Sequence, residues 1–386
     1  MIFKYWGIAV IISLLCFFTC SKDITKEERS EFRPWKTYSA GSFSFYPSYK
    51  DQSIILASFC DSLDCITGVS IASGKKKWQY TNPDLSKIYY NQSIRYLGDI
   101  MILPLGSSIV FVDLKDGSTQ WKYQPDLRAS SEIIIYEGFI YRTYLNGTSV
   151  EVHRISINDK VAEVIDSMNV RNYEHFVLIK PDLSMTDGDT SLIYACNAYN
   201  TLGKSESQVF IKRLNCDSCS TRSITIYDDW GTGSGIGIPF ELSLSSVVLL
   251  AGKTLMVLDI SSEKILWKKE LPNGVLTSRI GISGDSIFIP CENEVLYCFG
   301  VEDGQELWKT NIAGTPSRLI TTSESIWLIG GSDRMLYEIN KKNGSLKNRW
   351  YFKDYRSKLY RPFNIFNDSI ITFRDRLWWY TIEVED

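Results

Sequence analysis

One feature limits the fold of this chain more than any other: a tryptophan that returns at an almost fixed interval. Trp35, Trp78 and Trp121 are 43 residues apart, Trp267 and Trp308 are 41 apart, and Trp350 follows after 42. Four of these end closely similar stretches: SIASGKKKWQY, DLKDGSTQWKY, DISSEKILWKK and GVEDGQELWKT. A fifth, INKKNGSLKNRWYF, carries its Trp two residues late. A fixed period in this range marks an array in which each unit buries its face against its neighbours. The step of 146 from Trp121 to Trp267 holds two more, degenerate units, with Val164 and Ile224 in the expected Trp positions.

Within a unit the pattern is an apolar run such as SIFIPC, a polar turn, an alternating run such as VLYCFG, a Gly or Asn turn, then the Trp run. That is strand, turn, strand, turn, strand. Armadillo-type helical units have similar lengths. Here a sustained 3.6-residue apolar period is missing, and β-branched and aromatic residues crowd every apolar run. The 22 Tyr, 18 Phe and 11 Trp point the same way. With a further strand in the connector, about 42 residues make a four-stranded antiparallel blade. The expectation is an all-β, eight-bladed β-propeller over residues 35–386. Its eighth blade is split: SIITFRDRLWWYTIEVED at the C-terminus supplies early strands, and RPWKTY at the N-terminus supplies the closing one. Pairing the two chain ends would remove open edges and hold the ring shut.

Residues 1–20, MIFKYWGIAVIISLLCFFTC, combine a short basic start with an apolar run too short for a comfortable span. The run ends on Cys20 and a polar Ser21-Lys22-Asp23, and it resembles the signal peptide of bacterial lipoproteins, cut before a cysteine that receives lipid. An ordinary secretory signal or an uncleaved anchor are the alternatives, and all three export the chain. The charge-rich residues 21–34 read as a tether.

The units resemble the propeller repeats of the pyrroloquinoline-quinone-type (quinoprotein-like) family. NEVLYCFGVEDGQELWKT and SSIVFVDLKDGSTQWKY carry the likeness best. In size, blade number and lipid anchor the chain also resembles the propeller lipoproteins of the outer-membrane protein assembly machinery. The resemblance implies a non-catalytic scaffold at the bacterial outer membrane, on its periplasmic or surface side. It also implies a protein partner such as an outer-membrane assembly complex. A carbohydrate-binding or carbohydrate-cleaving surface lipoprotein is the alternative, followed by a quinone-dependent dehydrogenase. The dehydrogenases of the family would require an adjacent cysteine pair, and the sequence has none.

Composition narrows the chemistry further. A net charge of -3 with dispersed Lys and Arg excludes a strong pull toward nucleic acid. Two histidines, His153 and His175, leave little material for Ser-His-Asp catalysis or His-rich metal sites. The expectation is a monomer with no catalytic residue, cofactor or metal. Cys60 with Cys65, and Cys216 with Cys219, are spaced for small disulfide loops in an exported protein. The Gly-rich connector DDWGTGSGIGIPF, Asp228 to Phe240, lacks the strand-to-helix setting of a dinucleotide loop and reads as a rim loop. One polar feature repeats: the connectors that precede the innermost strand carry an arginine, Arg95, Arg279, Arg318 and Arg361, each four to seven residues before an Asp or Glu that opens the strand. Gathered around one opening, they would form a concave basic site for carboxylates, phosphates or an acidic peptide.

Overall fold

A computed structural model describes residues 30–31, 36–39, 47–50, 52–60, 63–87, 94–147, 149–169, 175–178, 182–186, 189–199, 205–214, 220–228, 236–243, 246–251, 253–272, 280–291, 293–313, 319–330, 333, 335–351, 360–366, 370–374 and 378–383. They form eight sheets, one per sequence repeat, antiparallel but for one short strand added to the seventh. The chain is an all-β, eight-bladed β-propeller. In order, the blades occupy 48–81, 95–123, 128–169, 175–228, 236–270, 281–311, 320–351 and 360–383. Blade 6 is representative: Gly281–Ser283, Ser286–Cys291, Val295–Gly300 and Glu306–Asn311 pair in sequence order from inside to outside.

Strands read as continuous apolar runs where both faces are covered, because each sheet is sandwiched between two others. Buried Val248, Leu250, Leu255 and Val257 of blade 5 face Ile287, Ile289 and Phe299 of blade 6. Such a cluster fills each of the eight junctions, including the one between blades 8 and 1, where Phe366 and Trp379 pack on Ile54 and Leu56. Two bonds cross that last junction: Asn364 Nδ2 donates to the Pro47 carbonyl at 2.8 Å, and Trp379 Nε1 to the Ala57 carbonyl at 2.6 Å.

Both ends of the described chain lie along blade edges. Lys36–Ser39 runs antiparallel to Trp378–Glu383 on the outside of blade 8, with Thr37 opposite Tyr380. Ser30–Glu31, within the stretch expected to be a tether, adds a parallel strand outside blade 7, with Ser30 opposite Trp350.

The outer strand carries one extra residue in seven blades: Lys77, Gln120, Ile165, Ile226, Leu266, Leu307 and Lys347. Such bulges bend an edge and spoil its pairing with foreign strands. The bulge also sets where the repeated indole sits. The next residue is Trp78, Trp121, Trp267 or Trp308 in four blades. In blade 3 it is Asp166, not Val164, and Val164 is half exposed. In blade 4 it is Tyr227, three residues after Ile224, and in blade 7 it is Asn348, two before Trp350.

Candidate functional site

The repeated tryptophans are joints between blades. Trp267 Nε1 donates to the Val301 carbonyl of blade 6 at 2.8 Å, and Trp308 Nε1 to the Lys341 carbonyl of blade 7 at 3.2 Å. Each ring lies on the glycine three residues past its acceptor. A Cβ on Gly304 would come within 2.9 Å of Trp267, and one on Gly344 within 2.4 Å of Trp308. Both glycines also hold positive φ, 66° and 72°, where a side chain is strained. In blade 3 the joint is inverted. Asp166 accepts from Tyr194 Oη at 2.7 Å and from Thr221 Oγ1, both of blade 4.

The predicted arginines belong to blades 2, 6, 7 and 8; Arg95 and Arg361 fall within innermost strands and not in the connectors before them, and of the four only Arg95 has a described side chain. Arg95 opens the innermost strand of blade 2, Arg95–Leu97, and is partly buried. Its neighbour Tyr96 turns to blade 1 and pairs its hydroxyl with Ser48, so alternation puts Arg95 on the side of Leu97, which packs toward blade 3. Burial raises the Tyr96 phenol well above its ordinary range, and the Ser48 bond offsets this in part. Arg361 belongs to the innermost strand of blade 8, Tyr360–Phe366, through its backbone. Arg279 and Arg318 lie outside the described residues, just ahead of the innermost strands of blades 6 and 7. Cys20, Cys216 and Cys219, and the side chains of Cys60 and Arg361, are also outside them. Of the Gly-rich connector, residues 236–240 fall in the innermost strand of blade 5, Ile236–Ser243, whose register shifts between Ile236 and Phe240.

Cys65 is disulfide-bonded, and its sulfur accepts from Ser58 Oγ at 3.2 Å. Cys291 and Cys298 are buried thiols. Burial pushes the Cys298 thiol up to about 11, so it holds its proton at neutral pH and packs as a small apolar group.

A second polar cluster, between blades 2 and 3, gathers around His153. Tyr123 Oη meets His153 Nδ1 at 2.9 Å, His153 Nε2 meets Glu151 Oε2 at 2.9 Å, and Asn146 Nδ2 donates to Glu151 Oε1 at 2.6 Å. The imidazole sits 4.6 Å from the Tyr144 ring, and the Arg142 guanidinium lies 5.6 Å from that ring's centre. Arg142 is only 1% exposed, and its nitrogens donate to the carbonyls of Gly106 at 2.7 Å, Ser108 at 3.2 Å and Ser131 at 3.2 Å. A buried cation is tolerated when carbonyl dipoles surround it in this way. Bonds from Asn146 and then His153 hold the Glu151 carboxyl below its usual value. Burial, followed by the Glu151 charge, raises Tyr123. The cluster clamps the Gly106–Ser108 turn of blade 2 to blade 3. The sequence signal for it was a charged residue inside each of two apolar strands, Phe139–Asn146 and Ser149–Ser156.

Among the described residues no group of three or more His, Cys, Asp or Glu is placed to hold a metal ion. The quinone-dependent dehydrogenases with such repeats need an adjacent cysteine pair, which this sequence lacks, so its residues do not fit that cofactor.

The chain is an eight-bladed β-propeller with indole joints between blades, and its repeats resemble those of the pyrroloquinoline-quinone type. Residues 220–358 match the family of outer membrane protein assembly factor BamB. A segment of 96 residues is 29% identical to outer membrane protein assembly factor BamB of Yersinia pestis, spanning 25% of this chain and 24% of that protein. The crystal structure of BamB from Moraxella catarrhalis superposes with a TM-score of 0.58 at 12% identity, covering 91% of this chain and 98% of that one. A europium-containing methanol dehydrogenase reaches the same TM-score, 0.58, at 11% identity, covering 88% of this chain and 84% of its own. The chain thus resembles BamB in its repeats, while the structural likenesses establish the fold alone.

Proposed function

We propose that this chain is a non-catalytic scaffold of outer-membrane protein assembly, anchored by lipid on Cys20 and binding a protein partner through its propeller. The observation that carries this reading is the match of residues 220–358 to the BamB family, set on an eight-bladed body of the same architecture. The chemistry around His153 agrees with it: the polar groups of Tyr123, His153, Glu151 and Arg142 are bonded to other parts of the protein. The signal-like residues 1–20 and the polar stretch after them support export to the envelope.

The rim arginines Arg95, Arg279, Arg318 and Arg361 are the partner site in this reading, taking an acidic segment. Crosslinking in intact membranes, followed by recovery of the chain and mass spectrometry, tests both parts. An outer-membrane barrel assembly protein among the adducts is the expected result. Adducts to envelope polysaccharide alone would overturn it in favour of a carbohydrate-binding lipoprotein. Replacing Arg279 and Arg318 with Ala should leave the fold intact and remove the protein adducts; unchanged adducts would exclude the rim as the site.

A further inference from the structure

We propose that the outer rim of blades 5 to 7 rests on the anionic lipid surface that holds the anchor, so that the propeller stands edge-on to the membrane. This rests on the lipidation of Cys20 proposed above.

Two independent observations carry it. The first is where the N-terminal segment meets the body. Ser30–Glu31 is paired along the outer strand of blade 7. Nine residues, 21–29, separate this strand from Cys20. Fully extended, they reach roughly 30 Å, so the outside of blade 7 cannot stand far from the bilayer. The second is the surface beside that strand. The bulge residues of blades 5 and 6 are Leu266 and Leu307, 51% and 55% exposed, at matching positions one residue before the joint tryptophans. The corresponding residues of blades 1, 2 and 7 are Lys77, Gln120 and Lys347.

Charge separates a lipid surface from other occupants. The exposed ions of the three outer strands are Lys264, Lys268, Lys309 and Lys347 against Glu270 and Glu306; Lys309 is paired with Glu306 and Lys347 with Glu338, so Lys264 and Lys268, on either side of Leu266, are the cations offered to headgroups. Leucines that dip into the acyl boundary between lysines that meet headgroups are the pattern of an interfacial contact. Blade 3 provides the contrast. Its outer strand also exposes an apolar residue, Val164, but its charged residues are Glu163 and Asp166. An anionic surface would repel it.

The test places a photocrosslinking side chain at position 266, 307 or 164 of the full chain in its own envelope and identifies the adducts by mass. Positions 266 and 307 should yield about tenfold more lipid adduct than position 164. Equal yields at all three, or protein adducts alone at 266 and 307, would overturn the proposal. The mass of the N-terminal peptide from the same membranes keeps the two readings apart. Lipid on Cys20 with equal adduct yields sinks the rim contact and leaves the anchor. Rim adducts without that lipid sink the anchor reading and leave the rim contact standing.

Discussion

At the scale of single residues, the two halves of the tryptophan joint can be broken separately. Trp267→Ala removes a half-buried ring and its bond to Val301, and should cost about 3 to 5 kcal/mol in urea unfolding. Leu266→Ala, one residue away but exposed, should stay within about 0.5 kcal/mol of the parent. Gly344→Ala leaves the indole of Trp308 in place and instead drives a methyl group into it at a strained φ, so it should destabilise by about 1 to 3 kcal/mol. Near-parental stability of that variant would mean the indole is free to move off the turn. The His153 cluster makes a prediction in pH. Glu151 has a lowered folded-state value, so its contribution is present above the unfolded carboxyl value and is lost as pH falls through the folded one. The stability gap between the parent and Glu151→Gln should be widest near neutrality and shrink below about pH 4. A gap independent of pH would show that the carboxylate charge plays no part.

Element by element, the sequence disclosed the blades and hid their phase. The period placed Trp78, Trp121, Trp267 and Trp308 correctly because a large ring at a joint has few substitutes. It put Val164 in the same position, but one bulge residue shifts the joint to Asp166, and nothing in a string of letters displays a bulge. The inverted joint was hidden for the same reason: a carboxylate that accepts from the next blade does not look like an indole that donates to it. Arg142 and His153 carry no motif, since their partners are carbonyls and side chains from another sheet. The outermost strand of blade 8 gives this scale its prediction. Lys36–Ser39 comes from the far end of the chain, and in our reading it latches the ring. Proline at both Thr37 and Tyr38 must remove at least one ladder donor, because adjacent residues point their N–H groups to opposite sides. The double variant should unfold about 3 kcal/mol more easily and expose the C-terminal blade to limited proteolysis. Unaltered protease resistance would mean that packing of blade 8 on blade 1 closes the ring without the latch.

Considered as a whole molecule, the propeller is held by eight similar apolar junctions, so no one junction dominates its stability. Fold class and blade number were therefore readable from repetition alone, whereas function was not: the same architecture serves an assembly factor and a methanol dehydrogenase. The joints add a direction. The described indole bonds run forward, Trp267 to blade 6, Trp308 to blade 7 and Trp379 to blade 1, whereas at blade 3 the donors reach back from blade 4 to Asp166. Such a ring behaves like a chain of handclasps between each blade and the next. Gaining or losing one whole repeat during descent keeps every hand matched, while a cut at half a repeat leaves one reaching for nothing. Growth of this protein line by complete units of one blade is the route its geometry permits.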